Sequence, residues 1–360
     1  MLHVAIIGCG VIGPVHAATV RLDRETVIRW ACDCDTSKLT RIAAERTTGN
    51  AAEVFADPRV DLVCVCTPHP EHAGLVAAAL AAGKHVVCEK PLASTPADLR
   101  AILAAAAAHP RQIASGIFQH RYSPLARRLR QLVAEGAFGT VSSLEVDFAC
   151  TRDQAYYAEG AWRGKRLAEG GGVAINQGIH TIDLGLWLAG ARVHQVSARV
   201  RRRRLACIEV EDLFEAEATC ADGVHARLRA DNDGTTGWRQ RVVVRGSRGS
   251  FTLGNGHRLS AVEHTSGAMR EELQALDVAN LEGKPLGGGK AVYGYHHALQ
   301  IADVIESIRA GRQPMVNVAD AVQTNAVVLA AYQATTTAVP VALPLDPAAY
   351  SYPDLPLENP

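Results

Sequence analysis

The sequence predicts two units of different class, a doubly wound parallel α/β sheet followed by an α+β domain with an antiparallel sheet. Three observations carry this. Over the first third, short apolar runs alternate with helical segments, the grammar of βαβ units in a right-handed parallel sheet. After about Ser123, strand-like runs follow one another without intervening helices, which implies antiparallel pairing. The 360 residues exceed one typical domain and suit two.

The opening stretch, Leu2 to Gly13, organises the first unit. Val4 to Ile7 form an apolar run the length of a strand buried on both faces. Gly8, Gly10 and Gly13 follow in G-x-G-x-x-G spacing, and Pro14 to Leu22 can continue as a helix. Gly8 allows a tight turn, Gly10 lets a pyrophosphate approach the backbone, and Gly13 lets helix and strand pack closely. The free N–H groups of the helix start favour phosphate. Val11 and Ile12 complete the expected cofactor turn. Val27 to Cys32 read as a second strand closed by Asp33, twenty residues after Gly13. A carboxylate there accepts both ribose hydroxyls of an adenosine and repels a 2′-phosphate, so the expected cofactor is NAD rather than NADP. This is the signature of a Rossmann domain.

The remaining elements of this unit follow in order. Asp35 or Ser37 can cap a helix over Leu39 to Arg46. Val60 to Cys66 make the fourth strand, Gly74 to Ala82 a helix stopped by Gly83, and His85 to Cys88 the fifth strand. Thr95-Pro96-Ala97-Asp98 starts a helix that runs through Ala104 to Ala108, and Ile113 to Phe118 are the sixth strand. The segments Thr67 to His72 and Glu89-Lys90-Pro91 leave the carboxyl ends of parallel strands, where open α/β sheets bind ligands. Thr67, Pro68, His72, Glu89 and Lys90 are therefore expected beside the cofactor.

The second unit, expected over residues 123–345, starts with a helix over Pro124 to Glu135. Strands are expected at Val141 to Thr151, Val193 to Val200, Phe214 to Cys220, Val224 to Ala230, Arg241 to Arg245 and Ser250 to Leu253, with hairpin turns at Asp222-Gly223 and Arg248-Gly249. A helix interrupts over Asn176 to Leu188, and two more close the unit near His297 to Ala310 and Val318 to Thr335. Residues 346–360 form a Pro-rich tail expected to lie extended over the surface. Arg199 and Arg201 to Arg204 place five arginines in six residues, which reads as a solvated strand face or a subunit contact rather than a phosphate site.

Composition excludes several classes. Lys+Arg 37 balances Asp+Glu 37, so nothing points to nucleic acid or an anionic membrane as partner. No apolar run reaches membrane-spanning length, and the first apolar run is already a strand rather than a signal peptide. Nine cysteines, an odd number, read as reduced thiols of a cytoplasmic protein. The two C-x-C pairs, Cys32/Cys34 and Cys64/Cys66, lie on strands with the first strand between them. They read as small buried side chains, and no metal is expected.

The motifs AIIGCGVIG at the start, CTPHPEH at 66–72, CEKPL at 88–92 and EGGGVAINQGIHTID at 169–183, with a weaker tail match over 296–314, give nearly the whole chain a resemblance to the Gfo/Idh/MocA oxidoreductases, which include glucose–fructose oxidoreductase and inositol dehydrogenase. The resemblance implies a large open antiparallel sheet in the second domain. It makes Lys90 the active-site lysine, commonly before a cis proline, and His180 the histidine that exchanges the substrate proton. Asn176 stands where many members carry aspartate. Trp162, Arg163 and Arg121 are expected to line the substrate pocket with Lys90, Asn176 and His180, although Trp162 can equally be structural and Asn176 a helix N-cap.

Those roles are chemically sound. Oxidising a secondary alcohol sends a hydride to nicotinamide and a proton to a base. Histidine meets the base's pKa requirement without tuning, and an ammonium stabilises the developing alkoxide. Asn176 and His180, spaced i, i+4, share a face on a regular helix, and Gly170 to Gly172 would let that helix approach the cofactor. The expected function is oxidation of a ring secondary alcohol, or reduction of its ketone, in a sugar, cyclitol or sugar derivative. The alternatives are a glycosidase-like enzyme using transient oxidation, and a non-catalytic sugar or NAD sensor, which the intact Lys90 and His180 disfavour. Phe214, Ala216, Ala218 and Cys220 alternate with polar residues and suggest an apolar sheet face hidden in a homodimer or homotetramer.

Overall fold

The computed structural model describes residues 1–279 and 295–358 as two compact units. In the first, β1 (Leu2–Ile7), β2 (Thr26–Cys32), β3 (Arg46–Thr48), β4 (Leu62–Val65), β5 (His85–Cys88) and β6 (Ala114–Gly116) make one parallel sheet in the order β3-β2-β1-β4-β5-β6. This is the doubly wound arrangement the alternating pattern requires. Helices α1 (Gly13–Val20), α2 (Ala51–Ala56), α3 (His72–Ala81) and α4 (Pro96–Ala108) connect the strands. β1 lies between the strands carrying Cys32 and Cys64; Cys32, Cys64 and Cys66 are buried, while Cys34 is exposed.

The segment after β2 departs from expectation. Asp35 does cap it, accepting the Ser37 N–H at 3.2 Å, but the turn is a 3₁₀ helix over Thr36–Arg41 rather than an α-helix to Arg46. Leu39 and Ile42 are too few apolar residues for an amphipathic stripe. Ile42 turns into the core instead, and the chain extends as β3, pairing Trp30–Cys32 with Arg46–Thr48. Asn50 then caps α2, accepting the Ala52 N–H at 3.0 Å.

Residues beyond the expected boundary also belong to the first unit. The helix Tyr295–Ala310 packs on α1 and sends Ile301, Val304 and Ile305 into the core that holds Val4, Ile6 and Val20. Residues 295–322 cluster with the parallel sheet rather than with the domain expected over 123–345, because the apolar stripe of this helix is buried there.

The second unit contains α5 (Pro124–Ala134), β7 (Val141–Cys150), the short α6 (Gln154–Ala158) and α7 (Arg166–Glu169), and α8 (Ile179–Ala189). β8 (Val193–Arg201), β9 (Leu213–Cys220), β10 (His225–Asn232), β11 (Trp238–Gly246), β12 (Gly249–Leu253) and β13 (Leu259–His264) follow. After α9 (Gly267–Ala279), the first unit's helix at 295–310 is α10, and α11 (Val318–Thr337) and β14 (Val341–Ala342) are the last elements of the described residues. The sheet has eight strands in the order β13-β12-β11-β7-β10-β9-β8-β14. It is antiparallel except where β7 and β10 run parallel at its centre.

α8 lies close on this sheet because two glycines allow it. A Cβ on Gly185 would sit 2.5 Å from Val146 Cγ2, and one on Gly178 would sit 2.9 Å from the Ala230 Cβ. Phe214, Ala216, Ala218 and Cys220 are buried within the chain, Phe214 edge-on to Tyr332 of α11. The apolar face expected to be hidden by a second subunit is thus already covered. The opposite face carries ion pairs: Glu145 with Arg241 and Arg245, Asp147 with Arg229 and Arg239, and Glu217 with Arg227.

The C-terminal tail is held more closely than expected. Tyr352 donates to the buried Glu211 at 2.9 Å, Leu355 is buried, and the Glu358 N–H donates to the Arg202 carbonyl at 2.9 Å. The arginine run is largely consumed locally. Arg201 pairs with Glu215, Arg203 with Asp212 and Asp231, while Arg202 and Arg204 donate to the carbonyls of Ile208 and Asn232. Among the described residues no helix is long and apolar enough to cross a membrane.

Candidate active site

The first unit builds a dinucleotide cradle. Gly8 has φ +98°, and a Cβ there would lie 2.5 Å from the Cys66 carbonyl, so β1 must end on glycine. A Cβ on Gly13 would fall 2.2 Å from the Gly8 oxygen, which is the close strand–helix packing the spacing predicts. A Cβ on Gly10 would meet nothing within 4 Å, so this side of the turn is open to a phosphate, and Val11 beside it is 69% exposed. Asp33 is fixed by two backbone donors, Cys9 N–H at 2.8 Å and Asp35 N–H at 2.9 Å, which hold its carboxylate beside the glycine turn. An open backbone at Gly10 and a fixed carboxylate at Asp33 have the chemistry that a dinucleotide's phosphates and ribose hydroxyls require.

The other expected cofactor residues brace this unit. His72 is fully buried, with Nδ1 2.8 Å from the Pro91 carbonyl and Nε2 2.9 Å from the Thr67 carbonyl. Burial lowers its pKa, and the neutral ring has one N–H, which donates to one of these two carbonyls at a time, according to its tautomer. Glu89 meets His16 Nε2 of α1 at 2.8 Å and accepts the Lys90 N–H at 3.2 Å. Burial would raise its pKa, but the hydrogen bond and charge of His16 outweigh this and hold the carboxyl down at about 2. Both side chains thus hold the loop from which half-exposed Lys90 projects, before a cis Lys90–Pro91 bond.

The second unit carries His180 and Asn176 on a segment less regular than expected. Ala174–Gly178 form a π turn that runs into α8, so Asn176 is interior to the helical segment and does not cap it. Such turns are frequent at functional sites. Their wider spacing removes the basis for placing Asn176 and His180 on one face by counting four residues. His180 is half-exposed, and its ring lies edge-on to His120 at 5.4 Å between centroids. His120 in turn meets His257 at 4.2 Å.

Asn176 donates its side-chain N–H to Glu169, whose other oxygen accepts the Gly164 N–H. Glu169 is 1% exposed. Burial pushes its carboxyl up to about 7, against the pull of those two donors. Sequence reasoning passed over this glutamate. The available signal was a carboxylate directly before a triple glycine, seven residues from Asn176.

The glycine run that follows Glu169 is tightly packed. A Cβ on Gly170 would sit 2.3 Å from the Ser94 Cβ, on Gly171 2.3 Å from the Tyr332 hydroxyl, and on Gly172 1.9 Å from the Glu211 carbonyl oxygen. At all three positions a side chain would collide with its neighbours, so the close packing of this segment requires glycine. Glu211 then accepts the N–H groups of Gly172 at 2.6 Å and Ala174 at 3.0 Å, anchoring the start of the π turn.

Arg121, expected at the substrate, is buried and closes its fork on Asp183, Nε to Oδ2 at 2.8 Å, with Thr324 donating to the same carboxylate at 2.8 Å. The aspartate of the G-x-H-x-x-D pattern is therefore an anchor for α8, and Arg121 is its counterion. Trp162 and Arg163 are half-exposed, the Arg163 guanidinium 5.0 Å from the Trp162 ring centre. No group of metal-binding side chains occurs among the described residues.

A dinucleotide cradle in one unit, with a lysine at a strand's carboxyl end and a helical histidine in the next unit, defines a class of two-unit, NAD-binding oxidoreductases. Residues 2–117 match the sequence model of the oxidoreductase family with an NAD-binding Rossmann fold, and residues 126–252 match the GFO/IDH/MocA C-terminal domain. The chain belongs to the Gfo/Idh/MocA family of oxidoreductases, and its cofactor is NAD.

Among its relatives, the D-glucoside 3-dehydrogenase of Escherichia coli is 27% identical over 345 residues, 86% of this chain and 96% of that protein. The myo-inositol 2-dehydrogenase of Thermotoga maritima is 26% identical over 201 residues, 55% of this chain and 58% of that protein. The WlbA dehydrogenase of Bordetella pertussis, solved with NADH and UDP-GlcNAcA, shares the fold with a TM-score of 0.87 at 23% identity, over 96% of this chain and 98% of its own.

Proposed function

We propose that this protein is a dehydrogenase that oxidises a ring secondary alcohol of a sugar, cyclitol or sugar derivative with NAD, or reduces the corresponding ketone. The observation that carries the reading is the conjunction, in one chain, of the cradle closed by Asp33 with half-exposed Lys90 and half-exposed His180. The relatives named as glucoside and inositol dehydrogenases support the substrate class.

NAD, held by the Gly8–Gly13 turn and Asp33, would supply the acceptor for the hydride of the alcohol carbon. Lys90, held at its backbone by Glu89, supplies an ammonium that stabilises the oxyanion developing on the substrate. His180 takes the hydroxyl proton. Asn176 has no proton that titrates near neutral pH; its side-chain N–H braces the π turn against Glu169. Substrate oxygens are held by Lys90, His180 and the side chains around Trp162 and Arg163. A panel of sugars, inositols and sugar nucleotides, assayed for NADH formation, tests the reading. Turnover of at least one ring alcohol with one NADH per product is expected, and oxidation only of open-chain alcohols would overturn it.

A further inference from the structure

Beside Tyr156 the Arg152 guanidinium has no carboxylate partner among the described residues, and Arg163 has only a distant one. The Arg152 guanidinium carbon lies 4.8 Å from the Tyr156 ring centre and 5.4 Å from that of Trp238. Arg163 stacks on the same Tyr156 at 4.2 Å. Arg152 is fixed at its root, its N–H donating to Asn232 Oδ1 at 2.8 Å and its carbonyl accepting from Asn232 Nδ2 at 2.9 Å. Its fork reaches only neutral groups, the Gln177 Oε1 at 3.2 Å and the Thr151 carbonyl at 3.0 Å. Gln177 completes the cluster by donating to the Tyr156 hydroxyl at 3.0 Å.

The carboxylates nearby are all committed. Asp153 caps α6 at Tyr156 N–H, Asp231 serves Arg203 and Arg229, Asp233 serves Thr235 and Thr236, and Glu169 serves Gly164 and Asn176. Arg163 has one distant partner, Glu159 at 3.7 Å, itself 65% exposed and worth little. By contrast Arg203, Arg229, Arg239, Arg241 and Arg245 each have a carboxylate within 3.5 Å. A half-buried guanidinium without a counterion is costly, and ring faces offset only part of that cost. A planar fork kept without an internal anion suits an external carboxylate or phosphate.

We propose that Arg152 and Arg163, stacked on Tyr156, form a subsite for an anionic group of the substrate, so that the sugar this enzyme takes carries a carboxylate or a phosphate. The subsite is tied through Gln177 to the segment that also bears Asn176 and His180. The proposal rests on the dehydrogenase reading for what the rest of the ligand is, while the charge argument stands on the cluster alone.

The test is calorimetric titration of NADH-saturated protein with matched ligands: a hexose, its uronate, and the same hexose as a nucleoside diphosphate conjugate. The uronate or the nucleotide conjugate should bind about tenfold or more tightly than the neutral hexose, the scale of one charged hydrogen bond. The uronate and conjugate arms separate a carboxylate from a phosphate. In Arg152→Gln, which keeps an amide beside Gln177, that advantage should vanish; in Arg152→Lys, which restores only the charge, part of it should return. Equal binding of neutral and anionic ligands, an advantage that survives Arg152→Gln, or no binding of any ligand overturns the subsite. NADH formation on the same ligands is scored separately. Turnover that does not discriminate by charge keeps the dehydrogenase and removes the subsite, whereas an anion preference in binding without any turnover does the reverse.

Discussion

At the scale of single residues, Asn176 and Glu169 change how the proton chemistry is divided. Asparagine cannot exchange a proton, and the structure gives its side chain a structural partner in Glu169. His180→Ala should therefore lower kcat about 10²-fold or more, the ordinary worth of a general base, while Asn176→Ala lowers it less. Steady-state kinetics on both variants, with folding checked by circular dichroism, decides this; the reverse order would move the base away from His180. Glu169 makes a second prediction. An unfolded chain loses this proton near the ordinary glutamate value of about 4.3, whereas the folded chain keeps it up to about 7. In that window the folded state binds more protons, so this residue makes stability fall as pH rises. Glu169→Gln removes the slope, and its Tm relative to the parent should climb between about pH 4.3 and pH 7. A parallel pair of Tm–pH curves would contradict the raised value. Of this pair the sequence displayed only the asparagine as a departure from pattern, because burial, which makes Glu169 unusual, is a property of the fold.

At the scale of elements, apolar runs were legible where burial is on both faces or strictly alternating. His85–Cys88 matches residue for residue, and β7, β8 and β9 agree within one residue at each end. What stayed hidden was decided by tertiary partners. β3 exists because Ile42 enters the core and brings Arg46–Thr48 alongside Trp30–Cys32, and no local alternation announces it. β13 has little apolar signal and depends on pairing with β12. α9 follows it, Met269 and Leu273 buried among polar residues. The π turn at Ala174–Gly178 is set by Glu211 holding Gly172 and Ala174, a contact 37 residues away in sequence. The tail is another such case, since Tyr352 reaches Glu211 from beyond α11. Tyr352→Phe removes one hydrogen bond to a buried carboxylate that keeps other donors. It should destabilise the protein by about 1–2 kcal/mol in chemical denaturation, and an unchanged midpoint would show that the tail contributes nothing to the unit's stability.

At the scale of the whole molecule, the two-unit plan and the family were readable because glycine spacing and strand-end motifs are short-range. The membership of residues 295–322 was not, because a helix distant in sequence buries its stripe on α1. Likewise the alternation in β9 gave one apolar face but not its burial within the same chain, where Phe214 meets Tyr332 of α11. Cofactor choice belongs at this scale too, since Asp33 acts only once β1, β2 and the glycine turn are assembled. Its carboxylate, fixed by Cys9 and Asp35 N–H groups, should give NAD a higher kcat/KM than NADP. Asp33→Ala should weaken NAD and narrow the difference, and an unmodified enzyme that works equally well with NADP would contradict this.

The most direct measurement of the central claim follows NADH fluorescence during turnover of a ring secondary alcohol by the parent protein and by Lys90→Ala. One NADH should be released per alcohol oxidised. Lys90→Ala should lose about 10²-fold or more in kcat, the scale for one group stabilising developing charge, with NAD affinity nearly unchanged. Product formation without net NADH, or a Lys90→Ala variant with parental kcat, would contradict the claim.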